Sequence, residues 1–153
     1  YFIGMKESTN KTNSKKSIDL MMVILFAITL FTGIKLHMAG HSASHEVWEC
    51  WAIAHSIVAV FMTAAIGAHV WQHWSWYKAL TRRVANKKAA RKRWMVLALT
   101  ATMTFIIASG IVLLAFIYTT DSHLGLIHYM VGLLAFVLIA LHLSKRYKFL
   151  IPK

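Results

Sequence analysis

The stretch Ile127–Leu143 reads IHYMVGLLAFVLIALHL, apolar almost throughout but carrying an imidazole near each end, His128 and His142. Such a segment approaches the roughly 20 residues that cross a bilayer core. Its two histidines are among the groups that hydrocarbon tolerates least, and an ionisable residue at that depth marks a function. Fourteen residues carry an α-helix through almost four turns, so the two rings share a face and lie roughly 21 Å apart along the axis.

The same spacing recurs upstream. In AHSIVAVFMTAAIGAHVW, His55 and His69 are again fourteen apart. The wider composition agrees with a membrane setting. The chain is 58% hydrophobic, and its 17 Lys and Arg outnumber 5 Asp and Glu but gather into short runs. That profile excludes a nucleic-acid-binding surface, because the segments between the basic runs are too apolar to be one. Four apolar segments follow, at about 19–36, 48–77, 94–118 and 124–149. Hydrocarbon leaves backbone groups no water to bond, so all four are expected to be helices. The expected fold is all-α: one domain over 1–153, an integral membrane four-helix bundle.

The cations set an expected orientation. Apart from Lys35, they lie in the N-terminal tail, in the Lys78–Arg93 run KALTRRVANKKAARKR and at the C-terminus. The excess of Lys and Arg in cytoplasmic loops then places both termini in the cytoplasm, in the inner membrane of a prokaryote. A lipid headgroup or phosphate site in the basic run is compatible with that topology. Helices two and four both start on the outer side and run parallel. His55 therefore falls at the depth of His128, and His69 at that of His142.

Two imidazoles facing across a bundle at one depth supply both axial ligands of a haem. Two such levels make a ladder of two haems. They would be b-type, since there is no C-x-x-C-H motif and Cys50 is the single cysteine. Gly33 in FTGIKL and Gly110 in ASGIVL, each preceded by a hydroxyl residue, Thr32 or Ser109, occupy matching places on helices one and three. Glycine there permits close backbone approach to a haem face, although small residues at helix interfaces are also ordinary membrane packing. Ala59 and Gly132 follow the outer histidines by one turn. Helix with hydroxyl-Gly, short outer loop, helix with two histidines: the pattern occurs twice, so the bundle reads as two similar two-helix halves.

Taken together, SIDLMMVILFAITLFTGI, WAIAH, AHVWQHWSW, SGIVLL, IHYMVGLL and ALHLSKRYKF give a chain that resembles membrane cytochromes b over nearly its whole length. It is similar in particular to the short four-helix flavinylation-associated cytochromes. The resemblance implies a diheme electron carrier ligated by His55, His69, His128 and His142. Such a carrier links a membrane quinone or reductase to an outer-face redox partner, such as a cytochrome c or flavoprotein, as a subunit of an oxidoreductase complex.

Five histidines exceed that pattern. His73 follows His69 by one turn and competes with it as ligand, but its counterpart on helix four is Arg146, which cannot bind iron; His69 is preferred. In KLHMAGHSASHEVWE, His37, His41 and His45 recur every four residues, with His123 on the other outer loop. Regular i, i+4 imidazoles can bind a metal or a further haem. Gly40 is expected to interrupt the helix, however, and a solvated polar cap is the simpler account. Cys50 reads as a buried free thiol. Two other functions use the same residues differently: a histidine-lined metal or proton transporter, which should carry acids along its path, and a cofactor-free membrane anchor, which has no need of four matched histidines.

Overall fold

In a computed structural model of the chain the backbone is described for residues 2–82, 94–116 and 122–150, and side chains for 17–79, 94–116 and 122–145. Most of the basic run, the connection at 117–121 and the Arg146 side chain lie outside these residues. The described elements are all helical: α1 Phe2–Ser42, α2 His45–Gln72, α3 Trp74–Arg82, α4 Trp94–Phe116 and α5 His123–Leu150.

Four of them contain stretches long and apolar enough to cross a membrane: Ser17–Ser42, His45–Gln72, Trp94–Phe116 and His123–Lys145, of 26, 28, 23 and 23 residues. At 1.5 Å per residue each exceeds a hydrocarbon core of roughly 30 Å. The protein is therefore a multi-pass membrane protein.

The helix ends differ from the sequence reading in several places, and α1 begins at Phe2 rather than at 19. Gly40 does not interrupt α1, which continues to Ser42; glycine is tolerated in membrane helices, where no water competes for the backbone. Helix two starts at His45 rather than at 48. It also stops at Gln72 instead of running to 77, because His73 (φ −102°, ψ 15°) leaves helical geometry while its N–H still reaches the His69 and Val70 carbonyls. The chain restarts as the short α3, with Trp76 N–H donating to His73 O at 2.9 Å. At the start of α5, Ser122 Oγ accepts the Gly125 N–H at 2.9 Å, an N-cap that a Cβ on Gly125 would meet at 2.7 Å.

The α1–α2 turn is only Ala43 and Ser44, so these helices pack as an antiparallel hairpin; α4 packs on α5, and α1 also meets α5. Phe26 on α1 stacks on Phe136 of α5, ring centroids 6.5 Å apart, and Phe31 meets Trp51 of α2 edge-on. The buried residues are mostly small or flexible: Ala39, Ala52, Ala65, Ala135, Met62 and Met95, together with the hydroxyl residues Thr32 and Ser109. Bulky apolar side chains such as Ile24, Val60, Phe61, Ile111 and Met130 point outward. In water that would be an aggregation hazard; in lipid it is the expected surface, with small residues letting the backbones approach.

Ala135 has no exposed surface at all. Ala135→Leu should therefore overpack the interface and destabilise the bundle by about 1–3 kcal/mol, read as a lower thermal midpoint in detergent. An unchanged midpoint would show that the site is not a packing contact.

Candidate functional site

The hydroxyl residues on α1 and α4 organise the middle of the bundle. Thr32 Oγ1 lies 3.0 Å from both the Ile28 and the Thr29 carbonyl oxygens, acceptors that commit its single proton. The 3.1 Å contact between Thr32 Oγ1 and His55 Nδ1 must then be a donation from the ring N–H. Across the bundle the arrangement repeats. Ser109 Oγ donates to the Phe105 carbonyl at 2.7 Å and accepts from His128 Nδ1–H at 2.8 Å. Both imidazoles are thereby fixed in one tautomer, with Nε2 carrying the free lone pair, the arrangement by which a second hydrogen bond orients a metal-binding histidine.

Glycine makes the approach possible. A Cβ on Gly33 would stand 3.1 Å from His55 Cε1, and one on Gly110 3.3 Å from His128 Cε1. These two glycines thus lie against the imidazoles, whereas the sequence reading assigned them to the face of a haem. Gly132, one turn after His128, has no atom within 4 Å of where a Cβ would be.

The structure brings His55 and His128 to one depth, ring centroids 6.3 Å apart and planes at 89°. An imidazole–metal bond of about 2 Å on each side, plus the two ring radii, adds up to about 6 Å. That matches the observed separation, so His55 and His128 would be the residues to hold an iron between them. The two imidazoles and the glycines beside them would suit a haem; a site of two imidazoles alone offers a small ion too few ligands.

The other level is built differently. His69 Nδ1 donates to Asp19 Oδ1 of α1 at 2.9 Å, both side chains about one-third exposed. The His69 ring also lies 4.7 Å from that of His73. The ligand atoms of Asp19, His69 and His73 fall within 4.8 Å of one another, a set able to hold a divalent ion. His142 is half-buried, beside the exposed Leu141. Beside His73, the Gln72 Oε1 is buried and accepts no hydrogen bond.

Asp19 is the residue that sequence reasoning missed. Its partner is 50 positions away, across the hairpin. The signal was there: Asp19 precedes Thr32 by 13 residues, almost the His55–His69 spacing, and antiparallel helices bring equal spacings into register.

At the end of the bundle where α1 turns into α2, the histidines scatter. His37 and His41 meet, ring centroids 4.8 Å apart, and His37 stacks on Tyr129 at 3.9 Å. His45 is exposed and stacks on Trp48, and His123, also exposed, opens α5. Cys50 is exposed, not buried.

No family model, curated protein or solved structure matches the chain.

Replacing either hydroxyl should strand a buried N–H and release the tautomer. Thr32→Val and Ser109→Ala should each lower stability by about 1–3 kcal/mol, measured by thermal unfolding in detergent. Equal stability in both variants would contradict the hydrogen-bond assignment.

Proposed function

We propose that the chain is a transmembrane electron carrier that binds two b-type haems, one between His55 and His128 and one between His69 and His142. A bound haem supplies reversible one-electron chemistry at its iron. The carrying observation is the His55–His128 pair: equal depth, ring centroids 6.3 Å apart, and each Nδ1–H donated to a hydroxyl so that Nε2 is left for a ligand.

Each element of the site has a task in this reading. Thr32 and Ser109 hold the tautomers and aim the rings, while Gly33 and Gly110 give the rings room. The unbroken helix from His55 to His69 sets the two levels roughly 21 Å apart, so that together they bridge most of a roughly 30 Å core. The matching of Thr32–Gly33 with Ser109–Gly110 supports two similar halves. The positions of the cations support cytoplasmic termini, with the His55–His128 level toward the outside of a prokaryotic inner membrane. There a soluble cytochrome or flavoprotein is the exchange partner. A quinol is the substrate proposed at the other end, where Gln72 Oε1 is an acceptor for a hydroxyl donor. In this arrangement the chain works as a subunit of an oxidoreductase complex.

One observation favours a second reading. Asp19, His69 and His73 could hold a divalent metal in place of the inner haem, making the chain a metal-binding membrane protein with a single bis-imidazole level.

Haem and metal content distinguish the two. Protein purified from haem-replete cells should show the sharp α-band of low-spin haem b and release close to two haems per chain, with no stoichiometric zinc. His55→Ala or His128→Ala should remove about half of the haem. A folded but colourless preparation would eliminate the carrier reading. One haem with one bound divalent ion would support the alternative.

Topology is tested separately. Reporters fused to either end of the chain should be active only as cytoplasmic fusions, and a periplasmically active fusion at either end would reverse the assignment.

A further inference from the structure

The two levels differ in what receives the ligand's second proton. At the His55–His128 level both acceptors are neutral hydroxyl oxygens whose own protons are tied to backbone carbonyls. At the other level His69 Nδ1–H is 2.9 Å from a carboxylate oxygen of Asp19. Asp19 is the only acid among residues with described side chains at that end of the bundle, since Glu46 and Glu49 lie at the start of α2. Thirteen residues before Ser109, the interval that separates Asp19 from Thr32, α4 carries the apolar Val96 rather than an acid.

From this contrast we infer that Asp19 is a positioning residue that makes the His69 level the lower-potential of the two. The inference rests on the two-haem reading. A carboxylate that accepts the ring N–H draws the imidazole toward imidazolate and raises its basicity as a ligand. A more strongly donating axial ligand, with a negative charge behind it, stabilises the oxidised more than the reduced iron, and so lowers the potential. A hydroxyl acceptor orients its ring equally well without that charge. One hydrogen-bond partner thus orders the ladder: an electron entering at the Asp19 end comes to rest at the His55–His128 level, with no bond made or broken. The favoured direction is from the basic-loop end outward, and the partner at the Asp19 end is a reductant of lower potential still.

A ring nitrogen that donates its proton to Asp19 does not ligate through that nitrogen. Asp19 then acts through His69 and leaves Nε2 for the iron.

Redox titration of the purified holoprotein at fixed pH, followed at the α-band, tests the assignment. Wild type should titrate as two components. His69→Ala should abolish the lower one and leave the higher, and loss of the higher component instead would overturn the inference. Asp19→Asn keeps a hydrogen-bond acceptor and removes the charge. It should retain both haems and shift only the lower component, upward toward the other. Two haems with unmoved potentials would overturn the role of Asp19 while leaving the carrier reading intact. If Asp19→Asn fails to retain the inner haem, Asp19→Glu should restore both its content and its low potential; restored content with a raised potential would mean that the carboxylate only holds the fold. A wild-type protein without haem removes the premise as well, and is read from content before any titration.

Discussion

An imidazole placed inside a membrane bundle must do something with both of its nitrogens, because no water is there to satisfy them. In this protein the first nitrogen is settled by a hydroxyl one helix away, and that hydroxyl is settled in turn by its own backbone. Much of the central architecture follows from this chain of bonds. It requires Thr32 and Ser109 to face inward, where they are the buried polar residues among those described. It requires the next residue to lack a side chain, which Gly33 and Gly110 provide. It also brings α1 close to α2 and α4 close to α5 at the depth where the rings meet.

Packing elsewhere is subordinate to that requirement. Alanine and methionine fill the interfaces, and among the described residues no large side chain is fully buried. A soluble bundle of this composition would forgo most of the burial that stabilises a core. In lipid the helices are each satisfied internally, and association needs only close van der Waals contact. The interior can therefore be given over to polar groups and small residues, while the bulky apolar surface is turned toward the acyl chains.

The four spans and the approach of His55 to His128 were legible in the sequence because both depend on local periodicity. A fourteen-residue interval has only one meaning on a straight helix, and the pairing of His55 with His128 needed only parallel helices in addition. What escaped were contacts set across the hairpin or at the membrane edge. Asp19 looked like the polar start of a span, since nothing in its own neighbourhood points to His69. The break at His73 has no glycine or proline to announce it; it falls where WQHWSWY enters the interfacial region and the α3 side chains become amphipathic. The continuation of α1 through Gly40 reverses a rule learned from water, where the exposed backbone of glycine is solvated and the helix frays. The roles of Gly33 and Gly110 were legible as a need for space, but not as space for a ring.

Measured from the imidazoles, the bundle is uneven. His55 sits ten residues below the start of α2, about 15 Å, but His128 only five below the start of α5, about 7 Å. On the described helices, α2 thus extends almost three turns beyond the ring pair and α5 less than a turn and a half, so the two hairpins hold their imidazoles at unequal distances from the helix ends on that side.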